Sequence, residues 1–189
     1  MASYTVIADV GNAIVELLRE HMVPEVILNP EAIGLCNPED KGDFLLGVHL
    51  YDMRPSEVYR NSGRVAYGIS QQKYPSTYWT LNYMITAYSN GDVKLKATEE
   101  QKILGRAIQV FADYSRLDPE TLKPVEATTG TVIQLELLSM SADDKMKIWS
   151  VPNKAYRLSF YLTAGPVELG SAKTMEVKRV VDVDFAVQE

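Results

Sequence analysis

Hydrophobic and polar positions alternate with a period of two from Thr77 to Ala87. Thr77, Trp79, Leu81, Tyr83, Ile85 and Ala87 fall on one side, and Tyr78, Thr80, Asn82, Met84 and Thr86 on the other. That is the pattern of a β-strand with one apolar and one mixed face. Ser89-Asn90-Gly91-Asp92 has turn chemistry, since Asn and Gly tolerate positive φ and Asp bonds its own backbone. Thr98 with Gln101 three residues on has the form of a capping box. Glu99 and Glu100 would then stand at the positive end of the dipole. Ile103, Leu104, Ala107, Ile108 and Phe111 recur at helical spacing. A long central strand feeding a helix that opens at Thr98 is therefore the predicted centre of the fold.

Around it the same reading predicts a helix over residues 4–21. Val6, Val10, Ala13, Ile14, Leu17 and Leu18 form its apolar face, Asp9, Asn12, Glu16 and Glu20 lie opposite, and Pro24 ends it. Residues 29–43, with two Asn-Pro pairs and two glycines, read as an irregular loop. Phe44, Leu46, Val48 and Leu50 alternate with Leu45, Gly47, His49 and Tyr51 as a buried strand. Residues 52–73 turn polar and form a loop too long for a plain connector. Leu117-Asp118-Pro119 breaks the chain, and 118–130 is linker-like. Residues 131–138 alternate as a strand, Ser141 and Asp144 cap a short helix running to Trp149, and Tyr156 to Thr163 alternate as a strand turned by Gly165-Pro166. A closing strand runs from Thr174 to Val187 and is a candidate sheet edge. The order predicts one α+β domain over 1–189: a mixed, largely antiparallel sheet with an N-terminal and a central helix packed on one face.

Composition narrows the class. With 46% hydrophobic and 23% charged residues the chain is expected to fold as an ordinary globular domain. The net charge of −6 is lopsided: residues 1–40 hold seven acids against Arg19 alone, and the remainder balances. No run of clustered Lys and Arg suits nucleic acid. Nowhere do about 18 apolar residues run together, so no membrane-spanning helix is expected. The N-terminal stretch lacks the basic and unbroken apolar regions of a signal peptide. The single cysteine, Cys36, excludes an internal disulfide and suits a reducing compartment, so folding in a cytoplasm is expected.

Candidate chemistry is sparse. Neither a dinucleotide fingerprint nor a phosphate-cradling loop is present, and no nucleophile elbow. Ser70-Gln71-Gln72-Lys73 matches S-x-x-K without its partner motifs. His21 and His49 lie in different elements and read as structural. Cys36 reads as a small, partly buried residue, with a nucleophile needing one of those histidines as the rival. Asp182 and Asp184 share a strand face flanked by Glu176 and Lys178 and read as solvated surface. No cofactor or metal is expected. A small hydrolase using Cys36 or Ser70 and a monomeric peptide-binding adaptor are the rival functions to a structural role. The candidate binding surface combines the loop residues Arg54, Tyr59, Arg60, Arg64, Tyr67 and Lys73 with the closing-strand residues Val177, Val181 and Val183. Tyr and Arg are enriched where interfaces concentrate energy.

The runs YTVIADVGNAIVELLRE, IGLCNPEDKGD, LGVHLYDMRP, QKYPSTYWTLNYMITAYS and EEQKILGRAIQVF, with the later IWSVPNKAYRLSFYLTAGPVEL, cover most of the chain. Together they resemble the tail-terminator, or cap, proteins of extracellular contractile injection systems of the antifeeding prophage and Photorhabdus virulence cassette type. The resemblance implies a small mixed α/β fold and a non-enzymatic role. Such a protein forms a homo-oligomeric ring, usually six-fold, on the end of the inner tube, stops its growth and anchors the last sheath ring. The implied partners are further copies of the chain and the tube and sheath proteins. The implied setting is assembly in the cytoplasm and release as part of an extracellular phage-tail-like particle. No catalytic residue is implied.

Overall fold

The computed structural model describes residues 4–56, 63–67, 71–117, 132–149 and 155–176. Helix α1 spans Val6–Met22, and a single 3-10 turn at Pro30–Ala32 leads into strand β1, Ile33–Leu35. Strand β2 is Leu46–Pro55, followed by the short β3, Val65–Ala66, and β4, Gln71–Lys73. Strand β5, Thr77–Ala87, precedes helix α2, Val93–Asp113, and β6, Arg116–Leu117. Strand β7, Ile133–Leu138, helix α3, Ala142–Ile148, β8, Ser159–Leu169, and β9, Thr174–Glu176, complete the described order.

Six strands form one sheet in the order β1-β2-β5-β8-β7-β6, and β3-β4-β9 form a second, smaller sheet. Only β1 and β2 run parallel; every other pairing among the described residues is antiparallel. This is the mixed, largely antiparallel α+β sheet that the alternation predicts. β5 lies at its centre, over the bounds read from the sequence.

The core follows from the two periodicities. The α1 stripe Val6, Val10, Ala13, Ile14, Leu17 and Leu18 is buried and meets Leu81, Tyr83, Ile85 and Ala87 of β5 in one cluster. From α2, Ile103, Leu104, Ala107, Val110 and Phe111 join it. Each fully buried Val, Leu or Ile contributes about 1.5–3 kcal/mol relative to exposure. Ile108, counted in the predicted stripe, is instead exposed, and Val110 takes its place.

Four local expectations are corrected. Helix α2 opens not at Thr98 but at Val93, because the Asp92 carboxylate accepts from Lys94 N at 3.0 Å. Its first three residues, Val93, Lys94 and Leu95, are exposed, so no apolar stripe announces it. Glu99 and Glu100 lie in the second turn and tie down the preceding segment: Ser89 Oγ meets Glu99, and Ser89 N donates to Glu100 Oε1 at 3.1 Å. Second, residues 29–43 include β1, where Gly34 lets the Phe44 ring occupy the space a Cβ would fill. Third, the strand does not turn at Gly165-Pro166. β8 continues through it, and the register with β5 slips by one residue between Ala164 and Val167. A bulge is where a strand tolerates the missing proline N–H. Fourth, residues 52–73 are not a plain loop, since they hold the end of β2 and both β3 and β4. The linker-like 118–130 and the closing strand beyond Glu176 lie outside the described residues.

The second face of the large sheet, expected to carry no helix, has α3 packed beside it. Met84, Tyr161 and Trp149 form a small cluster there with Tyr51, Met140 and Ile148 packed against it. Ser141 caps α3 as predicted, its Oγ accepting from Asp144 N at 3.2 Å. No residue within α3 is buried, so Trp149, immediately after it, is the anchor.

Candidate interaction surfaces

Beside α3, the second face opens into a groove of about 1280 Å³, lined from β2 by Tyr51, Asp52 and Arg54, from β5 by Thr80 and Asn82, and from the α3 side by Leu138, Met140, Asp144 and Lys147. A bulge in β2 builds it. Leu50 pairs with Tyr83 and Asp52 with Asn82, so Tyr51 is the extra residue. Side chains alternate in a regular strand, so without that insertion Asp52 and Arg54 would share the helix-facing side with Leu50. With it they face the groove. Asp52 Oδ2 accepts from Arg54 Nε at 2.6 Å and from Asn82 Nδ2 at 3.2 Å. Asn82 is 4% exposed, so the Asp52 carboxylate gives its buried amide a partner. Tyr51 is no surface platform: its hydroxyl meets Met140 Sδ at 3.6 Å and its ring stands edge-on to Tyr161. Burial raises the Tyr51 hydroxyl pKa, with the neighbouring Asp52 charge adding to the effect.

The small sheet gathers most of the predicted surface that lies within the described residues. β4 pairs with β3 on one side and β9 on the other, so the 52–73 segment and the start of the closing strand become neighbours. Val65 and Tyr67 are 58% and 44% exposed. Arg64 lies 5.5 Å from the Tyr74 ring centroid, Lys173 4.9 Å from the same ring, and Lys73 5.6 Å from Tyr67. Arg54 stands apart from this cluster, on β2 in the groove. Tyr59, Arg60, Val177, Val181 and Val183 lie outside the described residues, as do Ser70, Asp182 and Asp184.

The acidic N-terminal region is partly paired. Arg19 meets Glu16 at 2.8 Å and Glu31 at 3.5 Å, and also donates to Ile33 O. Arg106 of α2 holds Glu25 at 3.0 Å and donates to His21 O, which fixes α2 against the end of α1. The His21 ring stacks on Tyr114 with centroids 4.0 Å apart.

His49 hydrogen-bonds to the Cys36 backbone, which places the two residues side by side, but the electrostatics oppose a nucleophilic reading. Burial pushes the Cys36 thiol up to about 11, with Lys41 only partly opposing. A thiolate nucleophile needs the reverse shift. Burial also lowers the His49 imidazole, and its hydrogen bond to the Cys36 backbone pulls it partly back. The two residues serve the β1–β2 junction, where Gly47 gives the Cys36 sulfur room. Among the described residues no three His, Cys, Asp or Glu side chains gather as a metal site. No helix among them is long and apolar enough to cross a membrane.

The curled six-stranded sheet with its two packed helices is the fold of sheath and tube terminators. The chain superposes on the sheath/tube terminator of the PVC extracellular contractile injection system in its extended state, with a TM-score of 0.69 at 15% identity over 100% of this chain and 65% of that one. It superposes likewise on the tube-terminating cap of the anti-feeding prophage, with a TM-score of 0.66 at 17% identity over 95% of this chain and 61% of that one. The chain thus spans somewhat less than two thirds of the length of each. It belongs to the Pvc16 N-terminal domain family, whose sequence model matches residues 9–182. No curated protein sequence matches it.

Proposed function

We propose that the chain acts as one domain that caps the inner tube of a contractile, phage-tail-like injection system, ending tube growth and anchoring the terminal sheath ring. Family membership over residues 9–182 carries this reading, and the shared fold with two terminators supports it. The role is structural: the chain works as a ring of like copies, six-fold as the family resemblance implies, with tube and sheath proteins as its partners. Assembly takes place in the cytoplasm, and the ring leaves in the released particle. The raised Cys36 pKa weighs against a cysteine hydrolase. The test is electron microscopy of tube protein polymerised with and without the chain. Tubes of bounded length carrying density at one end are the expected result. Tubes whose length and ends are unaffected would overturn the reading.

A further inference from the structure

β3, β4 and β9 are strands of two, three and three residues, and none of those residues is buried. A sheet this small has no core of its own to fold on, so its side chains serve contact more than inward packing. They are cationic and aromatic. Over 63–67, 71–76 and 170–176 the sheet and its flanks carry Arg64, Lys73 and Lys173 against Glu176 alone. All three cations rest over tyrosine rings, Arg64 and Lys173 over Tyr74 and Lys73 over Tyr67. Cations already held on aromatic faces have less rotamer freedom to lose on binding.

The long strands fix where this surface stands. β2 and β5 run from the Leu46–Ala87 pair to the Pro55–Trp79 pair, and Tyr74 N, close before β5, donates to Lys173 O in the small sheet. The acidic end of α1 lies at the opposite limit: Arg19 donates to Ile33 O, and Ile33 pairs with Leu46. Nine residues of strand separate the two levels, or about 30 Å. At that far end Glu16 and Glu31 share the one Arg19 guanidinium, and Glu20 adds an exposed carboxylate one turn beyond Glu16. The chain therefore carries complementary surfaces at its two ends, too far apart to satisfy each other.

We propose that the basic three-stranded sheet of one copy docks on the acidic α1 end of a second copy, so that the chain associates head to tail. Contacts between two different patches repeat until the rotation closes a ring. The assignment deepens the ring-forming reading above and rests on it.

The test is sedimentation velocity of the full chain over a concentration series. Arg64→Glu with Lys173→Glu reverses one surface, and Glu16→Lys with Glu20→Lys the other. Each pair should raise the association midpoint by about tenfold or more, because like charges are then brought together. Mixed, the two variants should assemble again as alternating copies, since the reversed sheet of one meets the reversed α1 end of the other and the native sheet meets the native α1 end. The chain with all four reversals should form the higher oligomer again. Circular dichroism confirms that each variant is folded, and the milder Arg64→Gln with Lys173→Gln substitutes for any that is not. Folded reversals with unchanged oligomers, a wild type monomeric at every concentration, or no recovery of the oligomer on mixing would each overturn the proposal. Reversals without effect in a chain that still bounds tube length would sink this surface and leave the capping role standing. A chain that self-associates as proposed but leaves tube length free would do the opposite.

Discussion

Trp149 and Cys36 show what a single side chain contributes here. Trp149 is buried against Met84 and Tyr161 and is the main tie between α3 and the sheet. Trp149→Ala should cost about 3–5 kcal/mol, the usual range for deleting a buried large aromatic. Denaturant unfolding followed by circular dichroism measures it, and a loss under about 1 kcal/mol would mean that α3 is held elsewhere. Cys36 offers a kinetic test. Its thiol is raised from 9.0 to about 11, so the thiolate fraction near pH 8 falls about 100-fold. The greater nucleophilicity of a more basic thiolate returns about tenfold of that. Alkylation of the native chain should therefore run about tenfold slower than in denaturant, with the rate still climbing above pH 9. The sign for stability follows from the same shift. The folded chain favours the neutral thiol, so this contribution is fully present below pH 9 and is lost as pH rises toward 11. Cys36→Ala should flatten that part of the alkaline stability profile.

For an element, the informative case is where α2 begins. The Thr98–Gln101 spacing satisfies the capping-box pattern, yet Asp92 makes the cap and Thr98 lies in the second turn. Local chemistry allowed two starts, and the apolar stripe, which begins only at Ile103, could not choose between them. Asp92→Ala should destabilise by about 1 kcal/mol, whereas Thr98→Ala, exposed inside a helix, should be neutral or slightly favourable. Thermal or urea unfolding of the two variants decides it, and the reverse ranking would move the helix start back to Thr98. The β2 bulge teaches a related lesson. Period-two alternation finds the strand, but one inserted residue, Tyr51, sends Asp52 and Arg54 to the opposite face, where they build the groove. An alternation pattern gives no sign of which residue will be the extra one.

At the scale of the molecule, charge is the property with an external reading. An exposed acidic face speeds encounter with an oppositely charged surface, and salt screens it with a Debye length of about 10 Å at 0.1 M. One exposed pair is worth roughly 0.2–1 kcal/mol, so a single Glu→Gln change on α1 should be almost silent. Glu16, Glu20 and Glu25 neutralised together should slow association and flatten its salt dependence. Stopped-flow or light-scattering assembly rates at low and high salt measure this. Equal salt slopes for wild type and triple variant would show the acidic end to be solvated surface only.

The sequence by itself determined the layers of this protein. The 3.6-residue stripe of α1 and the alternation of β5 and β7 each encode which side must leave water, and hydrophobic burial acts on those patterns without needing distant partners to be known. The same strings also carried the family resemblance. Tertiary structure alone decided what is brought together. β1 is three residues in a stretch rich in turn signals, and it becomes a strand only because β2 offers a parallel edge. β3, β4 and β9 are each too short to show a period, and their pairing depends on residues about a hundred positions apart closing on one another. Tyr67, Tyr74 and Lys173 become one surface through that closure. A pattern read along the chain carries the cost of exposing each residue to water, but the free energy of long-range pairing exists only once the partners have met.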